Sequence, residues 1–325
     1  MTHQVTTVRG PVPAEELGVT LMHEHVLIDM TREIRHGGIL NDVGVAKREL
    51  ELFRDRGGRT VVDLTVRGLG GDPGALRRIS EATGLHIVLG AGFYRHQFLD
   101  MALIDQTPTP RLADLITRDL VEGIGATGVR AGIIGEIACD EWITAAEERV
   151  FRAAARAHLR TGAAITTHAA RWPVGHVQLD LLEEEGVEAR YVIIGHSDSV
   201  ASVDWDGEAD VTAYHRTLAA RGAYVELDNI RALAPHELER RVRYVRSLID
   251  HGYLHHVLLS HDVAVQAHLR CNGGGGYSFI LDEFSALLRA AGTTEQELHT
   301  ILVDNPRRAL SGAARPPVKG ERTTS

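Results

Sequence analysis

Cysteine and aromatic residues are both scarce in this 325-residue chain. Two cysteines, Cys139 and Cys271, are too few for a disulfide scaffold and point to a reduced, cytoplasmic setting. No apolar run approaches the ~20 residues that span a bilayer, so no membrane role is expected. The opening "MTHQVTTVRGPVP" lacks the charged-then-apolar order of a secretory signal. The net charge of −9 argues against a nucleic-acid partner. No G-x-G-x-x-G follows the first strand-like run, and no Walker loop, internal repeat or linker is present. A doubly wound open sheet, the structural rival, loses support from that absence. With 44% hydrophobic but only 5% aromatic residues, the core must be built from Val, Leu, Ile and Ala. That composition suits parallel strands under Ala-rich helices.

What the chain does contain is alternation. Short apolar runs occur at 19–22, 60–66, 86–91, 131–135, 163–167, 191–194, 223–227 and 256–260. Segments of helical period lie between them. "TAAEERVFRAAARAHLRTG" is one, with Thr144 as N-cap, Glu147 completing a capping box and Gly162 as terminator. "DPGALRRISEATG" and "APHELERRVRYVRSLIDHG" have similar punctuation. The pattern predicts a single-domain (β/α)8 TIM barrel over residues 1–312, since such barrels need about 250 residues. Residues 313–325, "AARPPVKGERTTS", lack apolar content and read as a mobile tail.

Barrel chemistry collects at the C-terminal strand ends. Those ends here carry metal-ligand residue types: His23 and His25 in "TLMHEH", Glu136 in "GIIGEI", His168 in "TTHAA", His196 in "IIGHSD", and His261 with Asp262 in "LLSHD". On a strand, residues i and i+2 share a face, so His23 and His25 point together while Glu24 turns outward toward the helices. Taken singly, His168 or His196 reads as an ordinary core histidine. Together they form a constellation, and burying that many unpaired polar groups would cost several kcal/mol. His23, His25, Glu136, His168, His196 and Asp262 are too many ligands for one tetrahedral zinc. They suit two divalent ions about 3.5–4 Å apart, with Glu136 as bridge. Zinc is the first choice, and Mn, Co or Fe fit the same donors.

These ordered motifs, with "TVRGPVPAEELGVT" before them and "ILVDNPRRAL" at the end, resemble the phosphotriesterase family of the amidohydrolase superfamily. The resemblance runs from about residue 7 to 312 and implies a binuclear barrel hydrolase. It assigns His23, His25 and Asp262 to the more buried ion, and His168 and His196 to the more exposed one. Glu136 stands where the best-known members have a carboxylated lysine, so the chain resembles the glutamate-bridged branch of phosphotriesterase homology proteins. Efficient organophosphate hydrolysis is therefore not implied. The expected reaction is attack of a metal-held hydroxide on a lactone or carboxylic ester, with weak phosphotriesterase side activity. The alternative is hydrolysis of an N-acyl amide at the same centre. A binding protein without turnover would have no need of six intact ligands.

Asp262 is the expected catalytic proton acceptor. His261, Asp198 and Asp63 read as residues that orient ligands, with a proton relay through His261 or Asp198 as the competing role. The substrate candidates are Tyr94, Trp172, Tyr277 and Arg270. Tyr94 matches a tyrosine that faces the metals in lactonase members, whereas loop packing explains Trp172 and Tyr277 equally well. Arginine recurs in the upper loops as Arg67, Arg95, Arg171, Arg231 and Arg270. One of these, Arg270 first, is expected to hold an anionic group such as that of a phosphorylated sugar lactone. Both cysteines read as incidental. The expected partner is a small-molecule substrate, and the resemblance implies a homodimer.

Overall fold

The computed structural model describes residues 3–201, 205 and 207–315. Among these, eight parallel strands form one sheet: β1 (Val19–Glu24), β2 (Gly58–Asp63), β3 (His86–Ala91), β4 (Ile133–Ala138), β5 (Ile165–His168), β6 (Val192–Ile194), β7 (Tyr224–Leu227) and β8 (Val257–Leu259). Their spatial order follows the chain, as expected of a (β/α)8 barrel. The seam between β8 and β1 is closed by side chain and loop. His23 N–H donates to Ser260 Oγ at 2.9 Å, and Asp262 N–H donates to the His23 carbonyl at 3.1 Å.

Two apolar layers hold this arrangement. Met22, Val62, Val88, Ile133, Ile193, Tyr224 and Leu258 fill the inside of the barrel. The opposite strand faces pack against the helices, with Leu50, Phe53, Leu76, Ile116, Phe151, Leu182 and Leu248 among the fully buried side chains. An N-terminal hairpin, Gln4–Thr7 with Gly10–Pro13, lies at the opposite end from the ligand-rich loops. There Val8 N–H donates to Ile87 O at 2.8 Å, and Thr60 Oγ1 to Leu17 O at 2.6 Å.

The helix Ala145–Thr161 begins and ends as its sequence dictates. Thr144 and Glu147 form a reciprocal capping box, and Gly162 closes the helix at φ +74°. A residue with a Cβ is strained in that left-handed conformation. β4 runs three residues further than the apolar pattern alone suggests, so Glu136 lies inside the strand and not after it. β2 ends earlier than expected, at Asp63. Of the expected tail, Arg315 returns to the barrel, with its guanidinium 4.3 Å from the Tyr224 ring centre. Residues 316–325 lie outside the described residues.

Candidate metal centre

Glu136 stands at the middle of the cluster. Its Oε2 lies 2.8 Å from His168 Nδ1, 3.3 Å from His23 Nε2 and 3.5 Å from His196 Nε2. Its Oε1 lies 3.5 Å from His25 Nε2, which is 3.4 Å from Asp262 Oδ1. The structure thus brings together all six residues expected to bind metal. The groupings His23–His25–Glu136 and Glu136–His168–His196 are each compact enough to hold one ion, and they share Glu136. His196 and Asp262 both sit at φ +53°, a conformation uncommon for non-glycine residues and one that aims each side chain from a turn just past its strand.

The electrostatics fit a cation. Burial favours a neutral Glu136, but the His168 and His23 imidazoles outweigh it and hold the carboxyl well below the usual range. Asp262 is held at about 2: burial pushes it up, and the His25 hydrogen bond with the charges of His196, His23 and Arg231 pulls it further down. Burial should also keep His196 neutral, yet Asp228 and Glu136 raise it to about 10. His23 is raised in the same way by Glu136 and Asp228 against its own burial. His168 is lowered to about 4 by burial and the neighbouring His196. His23 is fully buried, yet among the described residues neither ring nitrogen finds a hydrogen-bond partner. His168 Nδ1 and His196 Nε2 face each other at 2.6 Å. Converging imidazole and carboxylate donors of this kind suit divalent metals, which take the place of the protons.

A second ring of residues fixes the donors. Thr65 Oγ1 lies 3.0 Å from His25 Nδ1. Asp228 Oδ1 lies 2.7 Å from His196 Nδ1, and Asp228 Oδ2 lies 3.1 Å from His23 Nδ1. Asp228 and its neighbour Glu226 were not anticipated. The signal was available in "VELDN", where two acids two residues apart follow the same apolar-run rule as His23 and His25.

The orienting residues act on backbone rather than on the donors. Asp198 accepts from the backbone N–H groups of Asp228 and Asn229, and pairs with Arg241 Nε at 2.6 Å. Asp63 accepts from Val26 and Thr65 N–H. His261 is engaged at both nitrogens, with Glu24 and with Ile280 N–H. Glu24 does turn from the cluster, but toward β8 and not toward the helices. It accepts from Ser260 Oγ, His261 N–H and Val263 N–H and so locks the barrel seam.

The substrate candidates fare unequally. Tyr94 is buried, with its hydroxyl 3.3 Å from His168 Nδ1. Tyr277 is buried too, but its hydroxyl is spent on the His25 carbonyl at 2.8 Å. Trp172 is half-buried in the loop after β5. Arg270 is exposed, and its guanidinium is held by Asp282 and Ser278. Arg67 is likewise committed to Asp119, and Arg95 to Asp140 and Glu33. The loop arginine that reaches the cluster is Arg231. Its Nη1 donates to Asp262 O at 3.2 Å and lies 3.7 Å from Asp262 Oδ2.

Known proteins share this plan. The sequence profile of the Phosphotriesterase family matches residues 3–310. The chain is 35% identical to the phosphotriesterase homology protein of Mycobacterium tuberculosis, over 94% of this chain and 97% of that one. It is 27% identical to the N-acetyltaurine hydrolase of Dictyostelium discoideum, over 95% of this chain and 98% of that one. The crystal structure of a lactonase from Listeria monocytogenes matches at a TM-score of 0.85 and 26% identity, covering 96% of this chain and 100% of the other. A match of this extent, around donors so arranged, leaves one assignment: the chain belongs to the phosphotriesterase family and is a metal-dependent hydrolase.

Proposed function

We propose that the chain hydrolyses a lactone or carboxylic ester at a centre of two divalent ions. The observation that carries the reading is Glu136, whose two carboxylate oxygens face different imidazoles within one buried ring. His23, His25 and Asp262 would hold one ion, His168 and His196 the other, with Glu136 between them. Zinc is our choice, on the strength of four imidazoles among the donors. Such ions supply a polarised carbonyl and a water acidic enough to be nucleophilic near pH 7.

The chain's own groups do the rest. Asp262, held unprotonated at neutral pH, accepts at its carboxylate the proton that the attacking water releases. Tyr94 keeps its phenolic proton, because burial and the nearby Glu136 raise it well above its usual value. It is therefore a donor for an oxygen of the substrate. Arg231, not Arg270, is our candidate for an anionic group on that substrate, since it borders Asp262. The similarity to a lactonase supports the ester reading.

A second reading, hydrolysis of an N-acyl amide, is favoured by the similarity to N-acetyltaurine hydrolases over nearly the full length. A panel of γ- and δ-lactones, aryl esters and N-acyl amino compounds, assayed with the zinc-loaded protein, separates the two. A kcat/KM for lactones at least tenfold above that for amides is the expected result, and the reverse order would replace the first reading by the second. We assign the protein to the cytoplasm from its two unpaired cysteines. Among the described residues, no helix is long and apolar enough to cross a membrane.

A further inference from the structure

Among the described residues Glu226 has no hydrogen-bond partner, although it is among the most deeply buried charged side chains. Its carboxylate is fully buried inside the barrel, and neither oxygen accepts a hydrogen bond from any described residue. Positions of this kind in a barrel interior are ordinarily filled by Val, Ile or Leu, and an acid without a donor there is costly. Its carboxylate faces a candidate metal ligand: His23 Nδ1 lies 3.6 Å from Glu226 Oε2.

His23 needs such a neighbour. Its Nε2 faces Glu136 at 3.3 Å, on the metal side. An imidazole that offers Nε2 to a metal carries its proton on Nδ1, and that N–H must be accepted by something. Asp228 is closer, at 3.1 Å, but that contact makes no hydrogen bond, and Asp228 already serves three other donors. Oδ1 serves His196 Nδ1 at 2.7 Å and Asn229 Nδ2 at 2.8 Å, while Oδ2 accepts His196 N–H at 2.8 Å. Glu226 has all its acceptor capacity free. The two acids stand two residues apart, so both face the barrel axis.

We propose that Glu226 is a positioning residue of the metal centre: it accepts the Nδ1 proton of His23 and so keeps Nε2 turned toward the metal. Asp228 then serves His196, and each of two histidines has its own carboxylate from one strand. The assignment rests on the metal-centre reading above and adds a residue to it.

Zinc affinity, measured by competition with a chromophoric chelator, tests the assignment on the full chain. Glu226→Leu should bind zinc about 10- to 100-fold more weakly than wild type. Glu226→Gln, which keeps an acceptor oxygen, should lose less. The metal-stripped Leu variant should melt no lower than metal-stripped wild type, because an unpartnered acid has been removed. In zinc-loaded wild type, ¹⁵N shifts of His23, assigned against His23→Asn, should show Nδ1 protonated. Wild-type zinc affinity in Glu226→Leu, or an unprotonated His23 Nδ1 in the loaded wild type, would overturn the role of Glu226 alone. A metal-stripped Leu variant that melts lower, with zinc affinity falling in step, would mark a merely structural residue and overturn it too. A wild-type chain that binds no zinc would overturn the metal centre as well.

Discussion

Glu136 stays ionised despite complete burial, because the histidines around it favour the charge. The same logic makes Asp228 indispensable. It orients His196 through Nδ1 and through the backbone N–H. Asp228→Asn keeps the shape but leaves an amide where the imidazole proton is accepted. Its zinc affinity is expected to fall about 10- to 100-fold in a chelator competition. Tyr94→Phe removes only a hydroxyl beside His168. It is expected to lower kcat/KM about fivefold, the worth of one hydrogen bond near 1 kcal/mol, with metal content unchanged. The clustering of the six side chains was legible from sequence because strand periodicity and barrel polarity both name the same positions. Asp228, in "VELDN", obeyed the same rule and was passed over. Arg270 was misjudged for a different reason. Its commitment to Asp282, twelve residues on, follows from how the loop folds back, which local sequence does not encode.

At the scale of elements, the strand ends and the helix caps divide the work. The cap of Ala145–Thr161 bonds to none of the six clustered residues and illustrates the split. Thr144→Ala removes one half of the capping box. It is expected to cost about 1 kcal/mol in urea unfolding and to leave hydrolysis per folded molecule unchanged. Glu24 belongs to the opposite class, for it looks like a ligand in "HEH" yet works as a seam. Removing it would orphan Ser260 Oγ and the N–H groups of His261 and Val263. Apolar periodicity located all eight strands, while their limits moved by up to three residues, as at β2 and β4. Hydrogen bonding to neighbouring strands decides where a strand ends, and periodicity does not report it. The role of Glu24 was out of reach for the same reason. Closure of β8 against β1 joins positions 236 residues apart.

For the whole molecule, burial of histidine makes the fold sensitive to acid. Burial and the adjacent Arg216 hold His215 at about 4, against a hydrogen bond to Ser197 O that favours the proton. Burial, Arg315 and His255 hold His256 at about 4, against the Ala223 carbonyl. Both side chains are therefore neutral in the folded chain at pH values where the unfolded chain protonates them. Their contribution is complete above about pH 6.5 and is lost as pH falls from 6.5 toward 4, on the order of 3 kcal/mol each at the limit. In metal-stripped protein, the double variant His215→Gln/His256→Gln should lose less stability than wild type between pH 7 and 5, by urea midpoints. Equal losses would assign the acid sensitivity to other groups.

The roles given to the ring of donors and to the two carboxylates at the end of β7 rest on metal being bound in the working protein. Elemental analysis of the purified, zinc-reconstituted chain tests this most directly, alongside hydrolysis before and after chelation. Two ions per chain, with activity lost on chelation and recovered on adding zinc back, is the predicted result. Fewer than one ion per chain, or hydrolysis that survives exhaustive chelation, would contradict it.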